Sequence, residues 1–181
     1  MSVSSLSAMN NLTRHITGYF IGISIFGLLI PYGLIKLSTW DPFIIEGLPA
    51  YLTIRIVISL PFFITGLFFV IWSNLFLFTI GKGGPADGFN IAISPRTKKL
   101  VVTGPYRYCR NPMVFGAFSV FFSIGLFMLS IVCLIALIIF LGLVVKYLKI
   151  TEEKRLLKDF GNEYVDYKSS VPMIFPKISG Q

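Results

Sequence analysis

The sequence predicts an all-α integral-membrane protein of about four transmembrane helices, two of them joined as a tight hairpin. Three observations carry this. Of 181 residues, 55% are hydrophobic and only 13% charged, against about 25% charged in a soluble domain. The apolar residues fall in long runs, the pattern of membrane spans. The cations collect beside those runs, where they meet anionic headgroups. The net charge of +8 therefore fits a membrane surface and not nucleic acid.

The elements follow in order. Residues 1–15 are short and polar. The apolar run over 16–37 is longer than a signal-peptide core of roughly 7–15 residues, so it is a retained span. A second span covers 51–80 and contains Pro61, a candidate kink. The loop 81–111 opens on "GKGGPADG", which lacks the Gly-Lys-Ser/Thr ending of a phosphate loop and reads as a flexible connection. Residues 112–150 are too long an apolar stretch for one span. Their one break lies at Leu129 and Ser130, so they form a hairpin with arms 112–128 and 131–150. Each arm is short for a ~30 Å hydrocarbon core at about 1.5 Å per residue. The arms therefore sit deep in one leaflet or lean on the other helices. Residues 151–181 make a C-terminal helix and tail. The whole, 1–181, is a single membrane domain: two N-terminal spans (16–80), a loop (81–111), the hairpin (112–150) and the C-terminal segment (151–181).

Charge orients the bundle. Arg14 and His15 precede the first span. Lys82, Arg96, Lys98, Lys99, Arg107 and Arg110 lie in the loop 81–111. Lys154, Arg155, Lys158, Lys168 and Lys177 follow the fourth span. Asp41 and Glu46, with Trp40, lie on the opposite connection. The positive-inside rule makes the basic side, with both termini, cytoplasmic. No carboxylate stands in the middle of a span, as a transport path would require. Cys133 lies in an apolar run and Cys109 in a basic loop, a placement unsuited to a disulfide. Two cysteines and one histidine make no metal site. His15 reads as an interfacial residue.

The polar mass on the basic side contains two unusual stretches. In "GPYRYCRNPM", 104–113, Asn111 and Pro112 form a strong helix start: a side-chain acceptor, then a fixed φ. Arg107 and Arg110 read equally well as the basic flank of a span. In the second stretch, 150–176, Glu152 and Glu153 lie just beyond the last span. Leu157, Phe160, Tyr164 and Tyr167 recur at helical spacing as an interfacial stripe. Glu152 has an i,i+3 partner in Arg155, a pairing that contributes about 0.2–0.5 kcal/mol. Carboxylates are mildly repelled by an anionic leaflet. Both glutamates make more sense facing inward, toward a cationic partner.

Taken together, the two stretches resemble the isoprenylcysteine carboxyl methyltransferase and phospholipid methyltransferase superfamily. The resemblance runs through Gly104, Tyr106, Arg110-Asn111-Pro112, the hairpin, Glu152-Glu153, Phe160-Gly161, Tyr164, Tyr167, Val171-Pro172 and Pro176. It covers roughly 100–176. It implies an S-adenosylmethionine-dependent methyltransferase with a cytoplasmic cofactor pocket between the loop before the hairpin and the C-terminal helix. The implied cofactor-binding residues are Leu100, Val101, Gly104, Tyr106, Arg110, Asn111, Pro112, Glu152 and Glu153. Carboxylates suit a cofactor with a cationic sulfonium and a cationic amino group. Backbone N–H groups at a helix start suit an adenine edge or a carboxylate.

Two positions depart from the family pattern. The usual histidine is Asn111, which cannot titrate near neutral pH. The usual tyrosine two residues after the proline is Val114. Methyl transfer from a sulfonium is an in-line displacement, which asks mainly for alignment and exclusion of water. A carboxylate acceptor needs no base, whereas an amine must first lose a proton. Arg107 or Arg110 is the candidate to orient an anionic acceptor group. The expected acceptor is lipophilic or a lipid, entering from the bilayer between the hairpin and the second span. Phospholipid amine N-methylation, a nicotinamide-dependent reductase of related architecture and a non-enzymatic membrane scaffold are the rival readings.

Overall fold

The computed structural model describes residues 11–41, 49–82, 87–88, 91–92 and 97–177. Glu46, Arg96 and residues 83–86 of the glycine-rich stretch lie outside them, as do the side chains of Arg14 and His15. The described residues are helical nearly throughout. Helix α1 (Asn11–Gly22) passes through a π-helical segment (Ile23–Leu29) into α2 (Ile30–Ser38). Helix α3 (Pro49–Thr79) is followed by a two-residue antiparallel ladder, β1 (Asp87–Gly88) with β2 (Ile91–Ala92). After a 3-10 turn (Gly104–Arg107) come α4 (Pro112–Met128) and α5 (Ile131–Tyr147). A π-turn (Leu148–Glu152) then leads into α6 (Glu153–Ser170).

Three helical stretches are long and apolar enough to cross a membrane: Ile16–Ser38, Leu52–Thr79 and the helix that begins at Ile131. The fourth apolar helix, Pro112–Met128, is shorter. Its 17 residues rise only about 25 Å at 1.5 Å per residue. Pro61 does not end the second span, since α3 continues on both sides of it. The last span likewise does not stop at Ile150. One helical stretch runs from Ile131 to Ser170. Even up to its break at Gly161 (φ 55°, ψ −129°), it is longer than a hydrocarbon core requires. The apolar part ends near Ile150, and α6 beyond it is amphipathic.

The bundle shows its apolar side chains outward. Phe20, Leu28, Ile64, Phe68, Ile138 and Leu143 are all more than half exposed, as lipid-facing residues are. The interior is small. Leu34, Phe121, Cys133 and Leu137 form its buried centre, where α2 meets the hairpin. The most extensive pair is α3 with α4, and small residues permit it. A Cβ on Gly66 would lie 2.7 Å from the Gly116 carbonyl oxygen, and one on Gly116 equally close to that of Gly66. The backbones therefore touch, as at small-residue crossings in lipid. Buried serines return their hydroxyls to their own helices: Ser119 to Phe115 O at 2.9 Å and Ser123 to Val120 O at 2.6 Å. Neither hydroxyl is left in hydrocarbon without a partner.

The hairpin turns where the sequence breaks. Leu129 adopts a left-handed conformation (φ 51°), and its neighbour Ser130 caps α5 by accepting from Cys133 N at 3.2 Å. The cap has a second layer. Asp41, only 5% exposed, accepts from Ser130 Oγ at 2.8 Å and from Val132 N at 3.1 Å. The end of the first span thus clamps the hairpin tip from 89 residues away. Asp41→Ala strands a hydroxyl and a helix-start N–H. It is expected to lower stability by about 1–2 kcal/mol, read as a drop in unfolding temperature in detergent.

Candidate functional site

The hairpin returns the chain to the end of the bundle it left, and the two unusual stretches meet there. On one side is the turn 100–111. Gly104 stands at φ 61°, a conformation that favours glycine. A Cβ there would run into the Phe76 ring, so the turn presses directly on α3. Val101 and Pro105 are buried beneath it, Leu100 is half-buried, and Pro112 opens α4. Asn74, on the same turn of α3 as Phe76, has a buried Oδ1 with no hydrogen-bond donor among the described residues.

On the other side is the start of α6. Arg110 reaches across 43 residues of chain to Glu153 Oε1, and the same Nη1 lies 3.2 Å from the Tyr164 hydroxyl. Arg110 Nε donates to Val171 O at 3.0 Å. Lys168 Nζ holds the other Glu153 oxygen at 2.5 Å. The Arg110 and Glu153 side chains are only 10% and 11% exposed, so this is a buried pair, with Lys168 closing it from the surface. Tyr167 donates to the Tyr106 carbonyl at 2.6 Å, tying α6 to the turn a second time.

The two adjacent glutamates differ sharply. Burial pushes the Glu153 carboxyl up, but its bonds to Lys168 and Arg110 outweigh this and hold it below the usual carboxylate range. Glu152 faces elsewhere. Its ion-pair partner is Arg155, 3.7 Å away on the next turn. Desolvation, then the charge of Glu153, push its carboxyl up. Burial and the nearby Glu152 charge keep the Tyr106 phenol protonated well above its ordinary range. Cys109 is fully buried, and burial pushes its thiol up to about 12, so it is not a nucleophile near neutral pH.

The structure thus brings together Arg110, Asn111, Tyr106, Glu152 and Glu153. Arg107 lies exposed on the 3-10 turn. The sequence pattern does not single out Lys168. Its spacing from Glu153, 15 residues along α6, spans a break in the helix at Gly161 (φ 55°, ψ −129°), which helical periodicity does not reveal. Tyr164 and Tyr167, expected in an interfacial stripe, are buried and turn their hydroxyls inward.

A cavity of about 370 Å³ opens between α3 and α4. Pro61, Phe62 and Thr65 form one wall, Phe115, Phe118, Ser119 and Phe122 the other. Phe175, from the tail after α6, completes it.

Known proteins share this sequence pattern. The chain is 28% identical over 162 residues to the mouse (Mus musculus) protein-S-isoprenylcysteine O-methyltransferase, covering 83% of this chain and 53% of the mouse protein. The chain therefore spans about half the length of that relative. No solved structure matches it. The model of the phospholipid methyltransferase family matches residues 54–163, from the second span through the hairpin and both glutamates. That range covers more than half of the chain, which belongs to the phospholipid methyltransferase family of integral-membrane proteins.

Proposed function

We propose that the protein transfers a methyl group from S-adenosylmethionine to a lipophilic acceptor held in the bilayer. The observation that carries this is the division of labour between the two glutamates. Glu153 is neutralised by Arg110 and Lys168, and it locks α6 onto the turn. Glu152, next to it and beside Tyr106, has, among the described residues, the longer pair with Arg155 on its own helix. A cationic ligand with a sulfonium and an ammonium fits that donor set. Glu152 and Tyr106 would hold it, with Leu100, Val101, Gly104, Asn111 and Pro112 supplying backbone and shape. When bound, the cofactor supplies a methyl group already activated for displacement. The protein's part is alignment and exclusion of water, and the buried tyrosines and the tail over the turn serve that end.

Arg110 is held by Glu153, Val171 and Tyr164. We assign the acceptor's anionic group to the basic turn 107–110, on Arg107 or Arg110. The cavity between α3 and α4 would take the acceptor's apolar part. A carboxylate acceptor of the isoprenylcysteine kind needs no base, which fits a site where Asn111 stands in place of the family's histidine. Following the positive-inside rule, we place the site and both termini on the cytoplasmic side.

One observation favours a second reading, N-methylation of a lipid amine. Glu152, with its raised carboxyl, is suited to take a proton from an amine, a role Asn111 cannot fill. Two measurements test these readings. Titration calorimetry with S-adenosylhomocysteine should show binding by the wild type and at least a tenfold loss in Glu152→Ala; unchanged affinity would remove Glu152 from the site. Transfer of labelled methyl to prenylcysteines, but not to phosphatidylethanolamine, would support the carboxylate reading, and the reverse result the amine reading.

A further inference from the structure

The tail after α6 joins the two halves of the site. Residues 171–177 are laid over the turn by a set of backbone bonds. Arg110 N donates to Pro172 O at 2.8 Å, Asn111 N to Met173 O at 3.0 Å, and Lys177 N to Tyr108 O at 2.9 Å. Arg110 Nε adds its bond to Val171 O. Asn111 adds a second bond to Met173 O from its side-chain Nδ2, at 3.1 Å. Next along, Ile174 is buried to 4% exposure, while Phe175 is 61% exposed. The Phe175 ring turns into the cavity mouth, its centroid 6.4 Å from that of Phe115 at 76°. Among the described residues, it is the one cavity-lining side chain that comes from neither α3 nor α4.

We infer that Phe175 is the specificity-determining residue for acceptor chain length, and that Asn111 is the positioning residue that holds it in place. The inference rests on the methyl-transfer reading above. Its logic is mechanical. The apolar walls on α3 and α4 are set by the close Gly66–Gly116 crossing. The Phe175 wall hangs on a strap latched by the Arg110 and Asn111 side chains, and Asn111 is the nearer latch, bonded two residues before the strap's aromatic. Asn111 is suited to this because an amide keeps its N–H donors at every accessible pH, whereas an imidazole donates or accepts according to protonation. A polar residue at this position thus serves the acceptor side of the site as well as the cofactor side.

The test uses the full chain in nanodiscs with N-acetyl-S-geranyl-, S-farnesyl- and S-geranylgeranylcysteine. The readout is the ratio of kcat/KM across the three chains. In Phe175→Ala that ratio should move toward the longest chain by about tenfold or more, as changes of methylene scale in an apolar pocket do. Asn111→Ala should flatten the profile and raise KM for the acceptor more than KM for the cofactor. Asn111→His, which restores a donor, should recover much of the profile. An unchanged ratio in Phe175→Ala overturns the inference. A second readout does not depend on turnover: an alkyl chain bearing a terminal diazirine is photolysed on each protein and the labelled peptides are mapped. Label in the strap peptide around Phe175, reduced or displaced in Asn111→Ala, supports the inference. Label confined to α3 and α4 sinks it. A wild type that labels in the strap yet methylates none of the three cysteines counts against the methyl-transfer reading alone.

Discussion

Glu153→Ala is expected to destabilise the fold by about 3 kcal/mol, the lower end of the range for removing one partner of a buried ion pair. The cost arises on Arg110. Its side chain is 10% exposed, and without Glu153 its charge is left, among the described residues, with a tyrosine hydroxyl and a carbonyl. Lys168 adds less, because it is 48% exposed and screened by solvent. Glu152→Ala, one residue away, removes no such pair. It is expected to change stability by less than about 1 kcal/mol, while lowering affinity for S-adenosylhomocysteine at least tenfold. Thermal unfolding in detergent and calorimetry, run on both variants, separate the two roles. Equal stability losses in the two would contradict the division of labour.

The same pair carries a pH dependence with a definite sign. The Glu153 carboxyl is held below its ordinary value in the folded state. Its stabilising contribution is therefore complete above the ordinary carboxylate pKa, about 4.3. It is lost as pH falls through the lowered folded value. Wild-type unfolding temperature should drop across that acidic window. Glu153→Gln should show a shallower drop over the same range, starting from a lower plateau.

The second large effect is at the α3–α4 crossing. A Cβ on Gly66 meets Gly116 O, Val120 N and Val120 Cγ2, all at 2.7 Å. Two of these are backbone atoms of α4, which cannot turn aside. The helices must separate, at a cost of about 1–3 kcal/mol for Gly66→Ala and more for Gly66→Leu. The cavity lies beside this crossing, with Thr65 and Ser119 among its lining. Loss of stability should therefore come with a raised KM for the acceptor. Gly142 provides the contrast. It is exposed, and nothing lies within 4 Å of its added Cβ, so Gly142→Ala should be neutral or raise stability by up to about 1 kcal/mol. Parallel thermal melts of Gly66→Ala and Gly142→Ala check this, and indistinguishable melts would show that the crossing is not tight.

Much of the architecture is legible in the residues by themselves. The helices follow from the apolar runs, because lipid leaves a backbone no other way to satisfy its hydrogen bonds. The hairpin turn at Leu129 and Ser130 is legible as the one break in an apolar stretch too long for a single span. The tertiary arrangement decides what happens where local signals are neutral. Pro61 permits a kink, yet the helix continues through it. The chain beyond Ile150 changes from apolar to charged, yet the helix does not stop. That boundary marks a change of solvent, and the helix passes it through the π-turn Leu148–Glu152.

The site divides in the same way. Its members Arg110, Asn111, Glu152 and Glu153 stand out in the sequence as charges and a helix-start signal beside the hairpin, though the Asn111 side chain makes no cap bond and turns to Met173 O instead. Their roles do not stand out. Consecutive residues on a helix point about 100° apart, so only one of two adjacent glutamates can meet a given cation. Which one does so depends on the rotation of α6 about its own axis. That rotation is set by Tyr167 on the Tyr106 carbonyl and by the strap 171–177, contacts that bridge 61 and 62 residues of chain. Local pattern is read within a few turns of helix, and a choice made across the hairpin lies beyond its reach.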